Sequence, residues 1–255
     1  MRSLIISLIL SLSFSQEILC QDPLSEELRR SPFEWNKDSI EGFTIYFIAA
    51  SWTEENLGTI RQRLPEMKTA ILEFMKSPEY DHKVHVYIVN SRAQMKDLLG
   101  YETNGTAFHK LNAFTAIGSG GIRSIYSSHE LFHVMAMNEW GVPDRWINEG
   151  MAVYSDGGWF GYELHALAHY LKDSGRFLTL KKLTGQFGKT DDLLSYPLAG
   201  SFMKFLDETY GRPVVQDIWQ GNRKSLTDRT GKSLKELETE WIETINQTDY
   251  SNITY

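Results

Sequence analysis

The hydrophobic pattern of this chain changes character about halfway along. Ile40 to Ala50 (IEGFTIYFIAA) is β-branched and aromatic, which predicts a strand. Between Glu54 and Met75 the apolar residues Leu57, Ile60, Leu64, Met67, Ile71 and Phe74 recur three or four apart. That spacing predicts an amphipathic helix running through Pro65. His85 to Val89 reads as a second strand and Arg92 to Leu99 as a short helix. Ala107 to Ile117 and Ile122 to Tyr126 are further strands, separated by a tight turn at Gly118-Ser119-Gly120-Gly121.

Beyond residue 127 the period is helical. One helical run carries His129 to His133, and Trp140-Gly141-Val142-Pro143-Asp144 breaks it before a second begins. Tyr162 to Leu171 follows. Pro197 to Tyr210 then has Pro in its first turn and Gly211 as its stop. The capping box Ser233-Leu234-Lys235-Glu236 opens a last helix with Leu234, Leu237, Trp241 and Ile245 on one face. No repeat or low-complexity segment interrupts this order. The expectation is an α+β domain over residues 36–255, with an α+β part at 36–127 and a mostly helical part at 128–255.

The first 35 residues stand apart. Arg2 and the apolar run Leu4–Leu12, followed by small residues at Ser13 and Ser15, have the layout of an export signal cleaved before Gln16. Residues 16–35 then form a leader. The apolar run is too short to span a bilayer, so no transmembrane segment is expected after cleavage. Cys20 is the one cysteine, which excludes a disulfide within the chain, and the residues before it do not make a lipidation signal. A secreted or periplasmic location is expected. The net charge is −7, and losing Arg2 with residues 1–15, which contain no acid, makes it −8. A moderately acidic chain without a basic run points away from nucleic acid as a partner.

The densest chemistry is His129-Glu130-Leu131-Phe132-His133. At 3.6 residues per turn, His129 and His133 share one helix face and can hold one metal ion, with Glu130 beside them as a potential base. A catalytic site of this type needs a third ligand, supplied by a carboxylate on a second helix. Downstream, Trp146-Ile147-Asn148-Glu149-Gly150-Met151-Ala152 offers Glu149 at the start of such a helix. Over residues 125–156 the chain resembles the gluzincins, the thermolysin-like zinc metallopeptidases, and more closely their peptidase MA-like families.

The resemblance implies a zincin-like fold and one Zn²⁺ per chain, held by His129, His133 and Glu149. It also implies Glu130 as general base in the hydrolysis of peptide or protein substrates. Thermolysin-like enzymes carry an Asp four residues after the ligand Glu; here Val153 stands there, and Asp156 is the nearest acid able to orient a ligand histidine. Tyr196, in Tyr196-Pro197-Leu198-Ala199-Gly200-Ser201-Phe202, resembles the family segment opening a late helix. It is the candidate donor to a developing oxyanion, with Tyr154 second. His165 and His169 repeat the i, i+4 spacing with Ala166 where a base would stand, so the expectation is a solvent-facing or core-satisfied helix pair, with a minor metal site kept open. Two other classes remain open: an idle binding or assembly module on the same scaffold, and a zinc hydrolase of a non-peptide bond.

Overall fold

A computed structural model describes residues 33–119 and 124–255. The export signal, Cys20 and the leader up to residue 32 lie outside the described residues, as do Ile122 and Arg123. The chain forms an α+β domain with a mixed five-stranded sheet in its N-terminal part and helices thereafter.

Strands β1 (Trp35–Ile40) and β2 (Phe43–Ile48) pair antiparallel, with Ile40 opposite Phe43. The single strand expected over Ile40–Ala50 is therefore a hairpin whose first strand opens before it. Gly42, at φ +76°, makes the reversal in a conformation that costs glycine little. The expected long helix is also two: α1 (Trp52–Glu55), capped by Ser51, and α2 (Leu57–Met75), separated at Asn56. β3 (Val84–Val89) and α3 (Arg92–Leu99) follow as the pattern predicts. The run Ala107–Ile117 divides into β4 (Gly105–Phe108), a 3₁₀ turn at His109–Leu111 and β5 (Ala113–Ile117). In place of the strand expected at Ile122–Tyr126, residues 124–126 form a bend and turn, which leads directly into the next helix.

The strand order is β1-β2-β3-β5-β4, parallel in the centre and antiparallel at both edges. Period-two alternation divides the side chains between the faces. Phe43, Ile45 and Phe47, Val84, Val86 and Ile88, and Phe114 and Ala116 enter the main core with α2. On the other face Tyr46 stacks on Tyr87 with Trp35 edge-on to Tyr87, a smaller cluster of its own.

The helical part comprises α4 (His129–Trp140), α5 (Arg145–Ser155), α6 (Leu164–Asp173), α7 (Leu180–Gln186), α8 (Asp192–Tyr210), α9 (Arg212–Thr230) and α10 (Leu234–Ile245). α4 is apolar around most of its circumference; Leu131, Phe132, Val134, Met135 and Ala136 are all buried. Such a helix belongs between layers rather than on a surface. α10 has the capping box in both directions, and Leu237, Trp241 and Ile245 are buried on one face. α8 begins five residues before Pro197, with Asp191 as its cap, so Pro197 lies inside the helix instead of in its first turn. α7 and α9 have no counterpart in the sequence pattern. α7 is only two turns long, and α9 is kinked at Asn222 (φ +57°), which interrupts its period.

α5 and α8 form the closest helix pair because two glycines face the contact. A Cβ at Gly150 would stand 2.8 Å from the Ala199 carbonyl oxygen, and one at Gly200 would stand 2.7 Å from Val153 Cγ1. Gly150 immediately follows Glu149, so the backbone approach that buries α5 also sets the position of that carboxylate. No described helix is long and apolar enough to cross a membrane.

Candidate metal centre

α4 and α5 present three ligand atoms to one point. His133 Nε2 lies 3.1 Å from His129 Nε2, and Glu149 Oε2 lies 3.2 Å from the first histidine nitrogen of α4 and 3.4 Å from the second. Around a tetrahedral ion with ligand bonds of about 2.0–2.1 Å, ligand atoms stand about 3.3 Å apart. The three observed separations fall around that value, and two imidazoles with one carboxylate are a zinc-type donor set. Among the described residues this is the group of three able to hold a metal ion.

The electrostatics agree with a ligand role for Glu149. Burial would raise its carboxyl pKa, but hydrogen bonds and charge from His129 and His133 hold it well below the usual carboxylate range. Burial by itself would lower His133; contact with Glu149, with Glu130 and Asn148 adding to it, reverses this and raises the imidazole. Glu149 is therefore anionic at neutral pH.

Asn148 is the residue that sequence reasoning missed. Its Oδ1 stands 2.9 Å from His133 Nδ1. An amide oxygen only accepts, so His133 donates from Nδ1, which fixes the tautomer with the Nε2 lone pair toward the ligand cluster. The signal was adjacency: Asn148 precedes the ligand on α5 and reaches the same imidazole from the same helix turn.

Asp156 does not orient a ligand histidine. Its Oδ1 accepts from Ser128 N at 2.7 Å and Ser128 Oγ at 2.9 Å, and its Oδ2 accepts from Ser127 Oγ at 2.9 Å. Ser128 is the N-cap of α4 and its side chain makes no cap bond of its own, so Asp156 at the end of α5 caps α4 instead. An anion there also suits the positive end of the helix dipole. The bond fixes the two ligand-bearing helices relative to each other. Val153, four residues after Glu149, faces Gly200 in the α5–α8 contact.

Glu130 projects from the first turn of α4 over the edge strand β4. A Cβ at Gly105 would stand 2.7 Å from Glu130 Cγ and 2.9 Å from its Oε1, so only glycine leaves space for this carboxylate. A cleft of about 790 Å³ contains Glu130, the three ligand residues, Gly105, Thr106 and Tyr196.

Tyr196 reaches the centre from α8. Its ring stacks on His129 at 6.4 Å and contacts Trp159 and Phe187. Arg145 Nη2 donates to the phenol oxygen at 3.2 Å. Because guanidinium only donates, the tyrosine hydrogen stays available to a further acceptor in the cleft. Burial and the nearby Glu149 push the phenol pKa up, so it is a neutral donor. Tyr154 is elsewhere: its hydroxyl donates to Asp207 at 3.2 Å, its ring packs edge-on to Phe74, and burial pushes its pKa to about 12. It does not line the cleft, which removes it as an oxyanion donor.

His165 and His169 bring no third ligand together. His165 Nδ1 is 2.9 Å from Ser201 Oγ and Nε2 is 3.2 Å from Glu208; His169 Nδ1 donates to the Thr248 carbonyl at 2.8 Å. Compared with known proteins, the chain matches no family model and no curated sequence.

Proposed function

We propose that this chain is a zinc-dependent metallopeptidase of gluzincin type with a zincin-like fold, acting on peptide or protein substrates outside the cytoplasm. One observation carries the reading: two histidines and a glutamate with tetrahedral separations share an open cleft with a carboxylate that is not among the ligands. His129, His133 and Glu149 would hold a zinc ion, which when bound would supply Lewis acidity to a water and to the scissile carbonyl. Glu130 is the general base: it takes the proton from the attacking water and passes it to the departing amine. Tyr196, with Arg145 already on its oxygen, turns its hydrogen toward the oxygen on which negative charge develops. Asn148 and Asp156 keep the ligands and their helices in place. Gly105 keeps β4 close to Glu130 without closing the space its carboxylate uses.

Mass-spectrometric profiling of peptide-library cleavage, paired with zinc analysis, tests the reading. Wild type cleaves peptide bonds, and Glu130→Gln keeps its zinc while hydrolysis falls by at least about 10². Equal turnover in the variant removes Glu130 as base. A zinc-loaded wild type that cleaves no peptide sinks the peptidase reading in favour of a binding module or a hydrolase of another bond.

A further inference from the structure

The loop after α5 reads Asp156-Gly157-Gly158-Trp159-Phe160-Gly161-Tyr162. The backbone N–H groups of Trp159 and Tyr162 each donate to the other's carbonyl, at 3.1 and 3.0 Å, closing a two-residue turn around Phe160 and Gly161. Both central residues have positive φ, +52° and +83°, as in a type I′ turn. Asn, Asp or Gly favours the first of these positions. A bulky aromatic there is disfavoured by its own backbone, so the surrounding structure must impose it.

The imposed conformation keeps Phe160 in the cleft. Four large hydrophobic side chains are exposed among the described residues, and of these Phe160, at 37% exposure, is the one that lines the cleft. Polar and charged groups, among them Arg92, Glu102, Asn104 and Asp192, also line the cleft, and the apolar side chains Phe114, Met137 and Val153 line it as well. Phe160 lies edge-on to Trp159 at 5.2 Å, Trp159 contacts Tyr196 at 5.3 Å, and Tyr196 stacks on His129 at 6.4 Å. This aromatic row leads from the ligand cluster to Phe160 over a distance that an extended peptide covers in at most about five residues.

The row is also held from behind. Pro197 has no N–H, so the Leu193 carbonyl four residues earlier loses its helical donor. The Tyr255 hydroxyl supplies one at 2.7 Å, while its oxygen accepts from Trp159 Nε1 at 2.9 Å. One phenol thus ties the loop to the helix that carries Tyr196. A preorganised apolar surface of this kind binds with little ordering cost.

We propose that the Gly157–Tyr162 loop is a specificity subsite, built on Phe160, that receives a large apolar side chain of an extended peptide. The peptide as occupant rests on the peptidase reading above. The test uses zinc-loaded Glu130→Gln protein and calorimetric titration with Ser/Gly/Ala hexapeptides in which one Phe is moved through the six positions. At one position Phe tightens binding by about tenfold or more over Ser, in the range that apolar pockets discriminate. Adding Phe160→Gly reduces that advantage to below about threefold, and Phe160→Leu retains most of it. Glycine adopts positive φ freely, so Phe160→Gly keeps the turn while losing the ring's contacts with Trp159 and Tyr255. A gain that survives Phe160→Gly, or no gain at any position, overturns the subsite. Cleavage of the same peptides by wild type is followed in parallel. A Phe160-dependent binding gain without cleavage removes the peptidase reading and keeps the subsite, whereas cleavage without such a gain does the reverse.

Discussion

The chain contains two histidine pairs at identical helical spacing, and the fold uses them in opposite ways. On α4, His129 and His133 direct both Nε2 atoms at one point, and α5 brings Glu149 to the same place. On α6, His165 and His169 separate to different partners. Trp241 Nε1 only donates, so Ser201 Oγ accepts from it at 2.9 Å and turns its own hydrogen to His165 Nδ1. His165 Nε2–H then points to Glu208, and a neutral imidazole satisfies every member of the chain. His169 packs against Tyr250 at 4.5 Å and donates to the Thr248 carbonyl. Spacing puts two imidazoles on one face in both helices. What faces them decides the rest: one carboxylate shared by both rings beside an open cleft in one case, separate partners for each ring in the other.

Exchanging losses between the pairs gives the largest expected effect. His133→Ala should reduce zinc from about one per chain to below about a tenth, because a three-ligand site loses most of its affinity with one ligand. His165→Ala should keep its zinc but lose about 1–3 kcal/mol of stability, since Ser201 is left with an unmet hydrogen bond in the core. Elemental analysis and urea denaturation of both variants measure this. Zinc retained by the first or lost by the second would erase the distinction drawn between α4 and α6.

A smaller effect separates the two imidazole-orienting partners. Asn148→Ala should weaken zinc binding by about 10–100-fold in chelator competition, the usual consequence of losing a hydrogen bond behind a ligand. Ser201→Ala, the matching change behind His165, should leave zinc affinity unaltered. Equal affinities in wild type and Asn148→Ala would show that Asn148 does not support His133.

The smallest effect is in pH. Burial, with Lys204 adding to it, holds the His165 pKa below its ordinary value, against the opposing pull of Glu208 and Glu163. In the unfolded chain His165 binds a proton below about pH 6.5, while the folded chain does so only at lower pH. Its contribution to stability is therefore complete above that pH and is lost as pH falls toward the folded pKa. Urea midpoints of wild type and His165→Gln should converge on going from pH 7.5 to pH 5. Parallel profiles would mean that His165 does not titrate differently on folding.

Where the sequence is legible, one segment carries its own signal. The HELFH face, Glu149 on the following helix, the α10 capping box and the strand at His85–Val89 all follow from local periodicity or spacing. Where it misleads, distant residues decide. β-propensity runs on through Gly42 and Asn112, so two hairpins each read as one strand. Asp156 looks like a histidine partner in one dimension because its distance to Ser128 is set by the α4–α5 turn. Tyr154 and Tyr196 are alike as sequence; only the α5–α8 packing turns one toward Asp207 and the other toward His129.

The sequence by itself thus determined the α+β order of the domain and the candidate ligand set, because helical periodicity and a ligand motif act over a few residues. Tertiary structure alone decided that Asn148 orients His133, that Asp156 caps α4 and which partners His165 and His169 take. It alone placed Tyr255, held at the carbonyl that Pro197 leaves without a donor, behind the aromatic wall of the cleft. Each of these depends on hydrogen-bond partners from separate elements, and only packing the helices against one another brings such partners within reach.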